Sequence, residues 1–278
     1  MSFETVLPLY LYEIVLDQID DTERSTLVNC SLTCHAFHSI CRKKLFATIE
    51  FWLDLEETDP EVIQARLQRF YDILLSSSGQ NLASYSQKLT IHDLRTPRKS
   101  HPLSQPPGFR QQCSILSSII PFFHNIHDFC LDSGEWHRFP SNLKRTLIDC
   151  FLSNPITHLR INCVERLQIR LLNCFSHLKE LTIIPGSFSQ KTSHVPRDFH
   201  KGKTRLDMLN IGGSNWQRDS TLIARTLVEW IIKDPSSRLD ISKVKGLVWR
   251  DKVFHGLVRI SNFSATLQSL VVESGMRY

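Results

Sequence analysis

The sequence predicts an α/β protein in which a small helical module precedes a longer array of alternating strands and helices. Three observations carry this reading. Strand-like pieces beyond about residue 81 share one template, an apolar residue followed three and five places later by two more. Amphipathic stretches lie between them, long enough to cross back over a parallel sheet. The glycine-rich strand-to-helix turn of nucleotide-binding doubly wound folds is missing, which favours a stacked array over that alternative.

The N-terminal module has helical punctuation. Leu7-Pro8 introduces Leu11, Val15, Leu16 and Ile19, one face of a helix. Asp20-Asp21-Thr22 breaks it. Ser25 is placed to cap a second helix, with Leu27, Cys30, Cys34, Phe37 and Cys41 at three- and four-residue steps. Next, Asp59-Pro60 forms a helix start, because Asp caps well and Pro is pre-shaped for the first helical position. The stripe Ile63, Leu67, Phe70, Tyr71, Leu74 and Leu75 runs to Ser76–Gly79. Residues 94–112 and 186–203 carry Pro and Gly and are predicted loops.

The template recurs six times. Its copies are Ile126/Phe129/Leu131, Ile156/Leu159/Ile161, Leu178/Leu181/Ile183, Leu206/Leu209/Ile211, Val244/Leu247/Trp249 and Leu267/Leu270/Val272. Leu89 and Ile91 form a degraded first copy with Ser86 leading. The predicted return helices are Cys113–Phe123, Leu143–Leu152, Leu167–Phe175 and Leu222–Ile232. The template resembles the leucine-rich repeat, L-x-x-L-x-L, whose period is about 20–29 residues. Gaps of 30, 22, 28, 38 and 23 between leading residues make the repeats irregular. The resemblance implies a solenoid of parallel strands and helices, in which stacked neighbours complete the core that one strand and one helix cannot close.

Composition bounds the function. Of 278 residues, 41% are hydrophobic and 22% charged, as in ordinary globular proteins. The net charge of +5 comes from scattered Lys and Arg, not a basic stripe, so nucleic acid is not an expected partner. No apolar run reaches the ~18–20 residues of a membrane helix, so no membrane association is expected either. The start of the chain lacks a signal-peptide pattern. The eight cysteines sit among apolar neighbours and are read as reduced thiols of a cytoplasmic or nuclear protein.

Catalytic signatures are absent: no G-x-S-x-G, G-x-x-x-x-G-K-[ST] or G-x-G-x-x-G occurs. The cluster Cys30, Cys34, His35, His38 and Cys41 has zinc-like chemistry. Its ligands, however, would share one helix, which makes a poor tetrahedron. The expectation is packed cysteines, surface histidines, no metal, no cofactor and no enzyme activity.

Residues 7–46 resemble an F-box. Leu7-Pro8 opens, the aliphatics Leu11, Val15, Leu16 and Ile19 follow, and Cys30-Ser31-Leu32-Thr33-Cys34-His35-Ala36-Phe37 matches the later segment, especially its fungal form. Leu45-Phe46 closes the motif. The sequence departs from the family where a glutamate becomes Tyr10 and a tryptophan becomes Phe37. The resemblance implies an N-terminal helical F-box at 1–50, a linking helix at 51–80 and an irregular leucine-rich-repeat-like domain at 81–278. It implies a non-catalytic substrate receptor of a Skp–cullin–F-box ubiquitin ligase. The partners would be a Skp-type adaptor, through it a cullin, and a protein target of unknown identity. The alternative is a repeat scaffold without a ligase role, its first helices serving only as a cap. Leu7, Pro8, Leu11, Val15, Leu16, Leu32 and Phe37 are the candidate adaptor contacts, some of which must face inward. Arg160, Asn162, Thr182, Asn210, Arg250 and Glu273 fall between the apolar strand positions and are the candidate target contacts.

Overall fold

The computed structural model describes residues 11, 14–16, 18–20, 23–53, 59–77, 79–93, 108–132, 134–184, 188–189, 203–212, 227, 229–231, 234, 236–241, 244–249 and 269–272. Residues 14–16 are helical and precede α1 (Arg24–Ser31) and α2 (His35–Ala47). The sequence predicted one helix here; the chain divides it at Leu32–Cys34. The Ser31 hydroxyl donates to Val28 O (2.6 Å) and the Thr33 hydroxyl to Cys30 O (2.7 Å), closing the last turn of α1. Cys34 is then extended, at φ −156, as the N-cap of α2. α1 also starts two residues early, at Arg24 with Glu23 as its N-cap, so Ser25 lies in its first turn and does not cap it. This module has its own small core of Leu16, Leu27, Ile40 and Cys41, ringed by Ile19, Cys30, Phe37 and Leu45.

α2 continues directly into β1 (Thr48–Leu53), where Ile49, Phe51 and Leu53 are buried and the residues between them are not. This strict alternation is that of a strand with one face buried. Residues 51–53 therefore belong to the sheet and not to a linking helix. α3 (Pro60–Leu75) starts as predicted, with the Asp59 carboxylate accepting from Glu61 N at 2.9 Å. α4 (Gln80–Tyr85) and β2 (Lys88–Asp93) follow. α5 (Phe109–Ile119) begins inside the predicted 94–112 loop. Gly108 introduces it at φ 84, and Phe109, Gln112, Cys113, Leu116 and Ile119 make its buried face. A polar Gln within that stripe hid its first turn. Residues 94–107 lie outside the described residues.

A 3-10 turn (Ile120–Phe122), β3 (Asp128–Asp132), α6 (Ser141–Ser153), β4 (His158–Asn162) and β5 (Glu180–Ile184) come next, then β6 (Met208–Ile211), β7 (Gly246–Trp249) and β8 (Ser269–Val272). The second and third residues of every template copy, and of the degraded first one, thus lie on a strand; the leading residues precede it, and Leu267 lies outside the described residues. The predicted helix Leu167–Phe175 is instead a 3-10 stretch, Ile169–Cys174. It follows the two-residue strand Leu167–Gln168, which pairs with Phe188–Ser189 inside the predicted 186–203 loop. Thr204–Arg205 pairs with Leu239–Asp240. Of Leu222–Ile232, residues 227 and 229–231 are described, and they are helical.

The eight strands form one parallel sheet in chain order, each beside the strand that precedes it. Doubly wound sheets reverse their order at a switch point; this sheet does not. The register aligns the template residues. Ile49, Leu89, Phe129, Leu159, Leu181, Leu209, Leu247 and Leu270 form one row, and Phe51, Ile91, Leu131, Ile161, Ile183, Ile211, Trp249 and Val272 a second. The first six members of each row face a continuous core shared with α3, α5 and α6. Aromatic rings bind the layers: Phe51 lies 5.9 Å from Phe70, and Phe129 4.8 Å from Phe151.

Just before each strand from β3 to β7 the backbone repeats one motif. A single carbonyl (Gln87, His127, Thr157, Lys179 or Asp207) accepts two successive N–H groups from the start of the following strand, at 2.8 to 3.2 Å. Ser86, Asn154 and Thr204 add side-chain ties at the same level. The Ser86 hydroxyl donates to Phe46 O (2.9 Å) and the Thr204 hydroxyl to Phe175 O (3.1 Å). Ser86 thus fills an apolar template position, fully buried, because its hydroxyl has a partner.

Candidate functional site

One face of the sheet carries the core; the opposite, more open face bears the exposed Glu50, Trp52 and Arg160 together with the buried Thr90 and Cys130. Alternation sends Thr48, Glu50 and Trp52 of β1 to the open face, and parallel pairing lines up their neighbours. One row reads Glu50, Thr90, Cys130, Arg160, Thr182 and Asn210; the next reads Trp52, His92, Asp132, Asn162 and Ile184. Four predicted target contacts therefore sit together. Arg160, Thr182 and Asn210 are consecutive cross-strand neighbours, and Asn162 lies in the adjoining row. Arg250 and Glu273 lie outside the described residues.

The most structured part of this face was missed by sequence reasoning. The Trp52 and His92 rings stack at 3.8 Å and 11°. His92 Nδ1 donates to Asp132 Oδ2 at 2.9 Å, since the carboxylate only accepts. Its Nε2 is buried without a hydrogen-bond partner, 3.8 Å from Glu50 Oε2. Asn162 Oδ1 and Asn210 Oδ1 are likewise buried and unbonded among the described residues. The signal was available: Phe46, Ile49 and Phe51 satisfy the i, i+3, i+5 template, so the first copy begins inside the F-box-like segment.

A His oriented by an Asp is two parts of a nucleophile-activating set. The neighbouring thiol does not supply the third part. Cys130, in the next row, is pushed up to about 11 by burial and by the Asp132 charge, so its thiol stays protonated at neutral pH. Cys150 and Cys174, on the core side, are raised by burial to about 12. The open face offers a ring platform and unpaired acceptor atoms, which is binding chemistry.

A second polar cluster stands beyond the carboxyl ends of β3 and β4. Glu135 accepts from Arg138 Nη2 (2.9 Å) and from His137 Nδ1 (3.1 Å). Arg166, held at φ 54 in a left-handed turn, reaches His137 Nε2 at 3.4 Å, and Lys144 Nζ donates to His137 O. Burial lowers the His137 pKa below 6.5; Glu135 opposes this, while Arg166, Arg138 and Lys144 add to it. The unfolded chain then takes up a proton before the native one does, so stability is full above about pH 6.5 and falls as the pH drops below it. The side chain is part-exposed, so solvent screening keeps the effect small. Urea titrations at pH 7.5 and 5.5 are expected to show a larger acid loss for the native chain than for His137→Gln.

The helical module has an apolar exterior. Leu32 is 78% exposed, Val15 59%, Ile14 54% and Val28 45%. Of the predicted adaptor contacts, Val15 and Leu32 are on the surface, while Leu11 and Phe37 are half-buried. Leu16, at 1% exposure, is a core residue of the module, because its helix turns that side towards Leu27 and Ile40. Leu7 and Pro8 lie outside the described residues. In the zinc-like cluster Cys41 packs inward, Cys30 is half-buried, and His35 and His38 are exposed. Cys34, expected to pack inward, is exposed as the cap of α2. No trio of His, Cys, Asp or Glu among the described residues is placed to hold a metal. All eight cysteines are free thiols. No helix among the described residues is long and apolar enough to cross a membrane.

No family model and no curated protein matches this sequence.

Proposed function

We propose that this protein is a non-catalytic substrate receptor of a Skp–cullin–F-box type ubiquitin ligase. The helical module docks onto a Skp-type adaptor. The repeats form an irregular leucine-rich-repeat-like solenoid that presents a protein target on its open face. The observation that carries the reading is the module itself, whose small separate core leaves Ile14, Val15, Val28 and Leu32 outside. Four large aliphatics on so short a segment invite a covering partner, and helices that lay apolar faces into grooves are a common way to supply one. The chain-ordered parallel sheet and the repeated carbonyl motif support the solenoid.

The test is co-purification of the full chain with a Skp-type adaptor. Val28→Asp with Leu32→Asp is expected to weaken capture by more than about tenfold, since buried apolar anchors dominate interfaces. Its thermal transition should stay near that of the native chain, because both side chains are exposed. Undiminished capture by the folded variant would refute adaptor docking through this surface. The direct run of α2 into β1 would then favour the module as a plain cap on the first repeat.

A further inference from the structure

β1 is one end of the sheet. Its inner edge pairs with β2 through six consecutive residues, with no bulge. No described residue hydrogen-bonds to the backbone of its outer edge. Native edge strands are normally blunted by lysine, proline, a bulge or a covering element. Thr48-Ile49-Glu50-Phe51-Trp52-Leu53 has neither lysine nor proline, and its residues are mostly β-branched or aromatic, which favour strands.

Beside this edge lies a cavity of about 430 Å³ that β1 lines from Thr48 to Trp52. Its other walls are apolar, from Phe46 at the end of α2 and from Ile63, Leu67 and Phe70 of α3. Two exposed guanidiniums, Arg24 of α1 and Arg66 of α3, also line it. The single acid there, Glu50, leans towards His92 on the open face.

We propose that the outer edge of β1 is a docking site for an extended, acidic segment of a partner protein, which adds to the sheet as a further strand. Three features specify that occupant. A backbone edge that no described residue pairs asks for an extended chain, whose main-chain groups supply affinity. The apolar walls take one large apolar side chain. Arg24 and Arg66 favour carboxylates on the same face of the added strand, two residues to either side of that side chain. The site differs from the proposed adaptor surface, since none of Ile14, Val15, Val28 and Leu32 lines the cavity.

The test uses the full chain and a labelled pentapeptide, Glu-Val-Phe-Thr-Glu, followed by fluorescence anisotropy. Its lysine counterpart, Lys-Val-Phe-Thr-Lys, is expected to bind roughly five- to tenfold more weakly, the effect of a partly exposed charge contact. Arg66→Glu should reverse that order, and its surface position leaves folding intact. N-methylation of alternate amides along one edge of the peptide should abolish binding, whereas the other edge tolerates it. Absence of binding, equal binding of both peptides, or indifference to N-methylation would overturn the proposal. So would a dimer in sedimentation that the acidic peptide fails to dissociate, which would assign the edge to a second copy of this chain.

Discussion

Asn154→Ala is expected to lower the unfolding free energy by about 3 kcal/mol, at roughly 1 kcal/mol for each of three buried hydrogen bonds. Asn154 follows α6 and is 4% exposed. Its Oδ1 accepts from Ile126 N at 2.8 Å, and its Nδ2 donates to Phe123 O and Cys150 O, both at 3.0 Å. One side chain therefore ends a helix and holds the turn that leads into β3. Alanine would orphan the buried Ile126 N–H and take this donor from Phe123 O, where water has little access, while Cys150 O would keep the residue 154 backbone N–H. Asn154→Asp keeps the acceptor but sets a carboxylate against two carbonyl oxygens, so it should be no better. Urea unfolding with linear extrapolation reads both. A loss below about 1 kcal/mol for alanine would mean that the turn re-forms its bonds another way.

Gly134→Ala is expected to cost about 3 kcal/mol, as left-handed backbone strain and steric overlap combine. Gly134 sits at φ +90, and a Cβ there would overlap Asp93 Oδ2 and come within 2.6 Å of the Asp93 Cβ and Cγ. Asp93 is fully buried at the end of β2 and has little room to move. The backbone around Gly134 is pinned as well: its carbonyl accepts from Glu165 N (2.8 Å), and Trp136 N donates to Glu165 O (3.0 Å). These bonds hold the turn after β3 against the turn after β4, where Trp136 enters the core. A double-mutant cycle with Asp93→Gly, which removes the Cβ as well as the carboxylate, separates the two causes. The overlap should appear as coupling between the sites, and the backbone cost should persist in the double variant. Additive single effects would show that Asp93 moves aside.

Much of the sheet was legible because its rule is short. Residues three and five places apart, such as Ile156, Leu159 and Ile161, declare a buried strand wherever they recur, and their spacing survives irregular gaps. α3 was legible from Asp59-Pro60 and its stripe. Other elements were hidden for specific reasons. β1 falls where the F-box-like pattern already accounted for Phe46. Gln112 interrupts the apolar face of α5. The hydroxyls of Ser31 and Thr33 close α1 by bonds to carbonyls only three residues back, a choice that apolar periodicity does not record. At the site, the row Arg160–Thr182–Asn210 followed from alternation alone. The Trp52–His92–Asp132 group did not, because its members come from three strands separated by some forty residues each and meet only through register.

The sequence by itself determined the α/β class, the alternation of strand and return segment, and which side chains turn away from the core. Those follow from local periodicity, which is a property of neighbouring residues. Tertiary structure alone decided that the strands pair in chain order without reversal, that Leu16 lies inside the module while Val15 and Leu32 remain outside, and that β1 ends the sheet beside an arginine-lined cavity. Each of these depends on which surfaces meet across long stretches of chain, and burial on one side of an element is settled only by what packs against it.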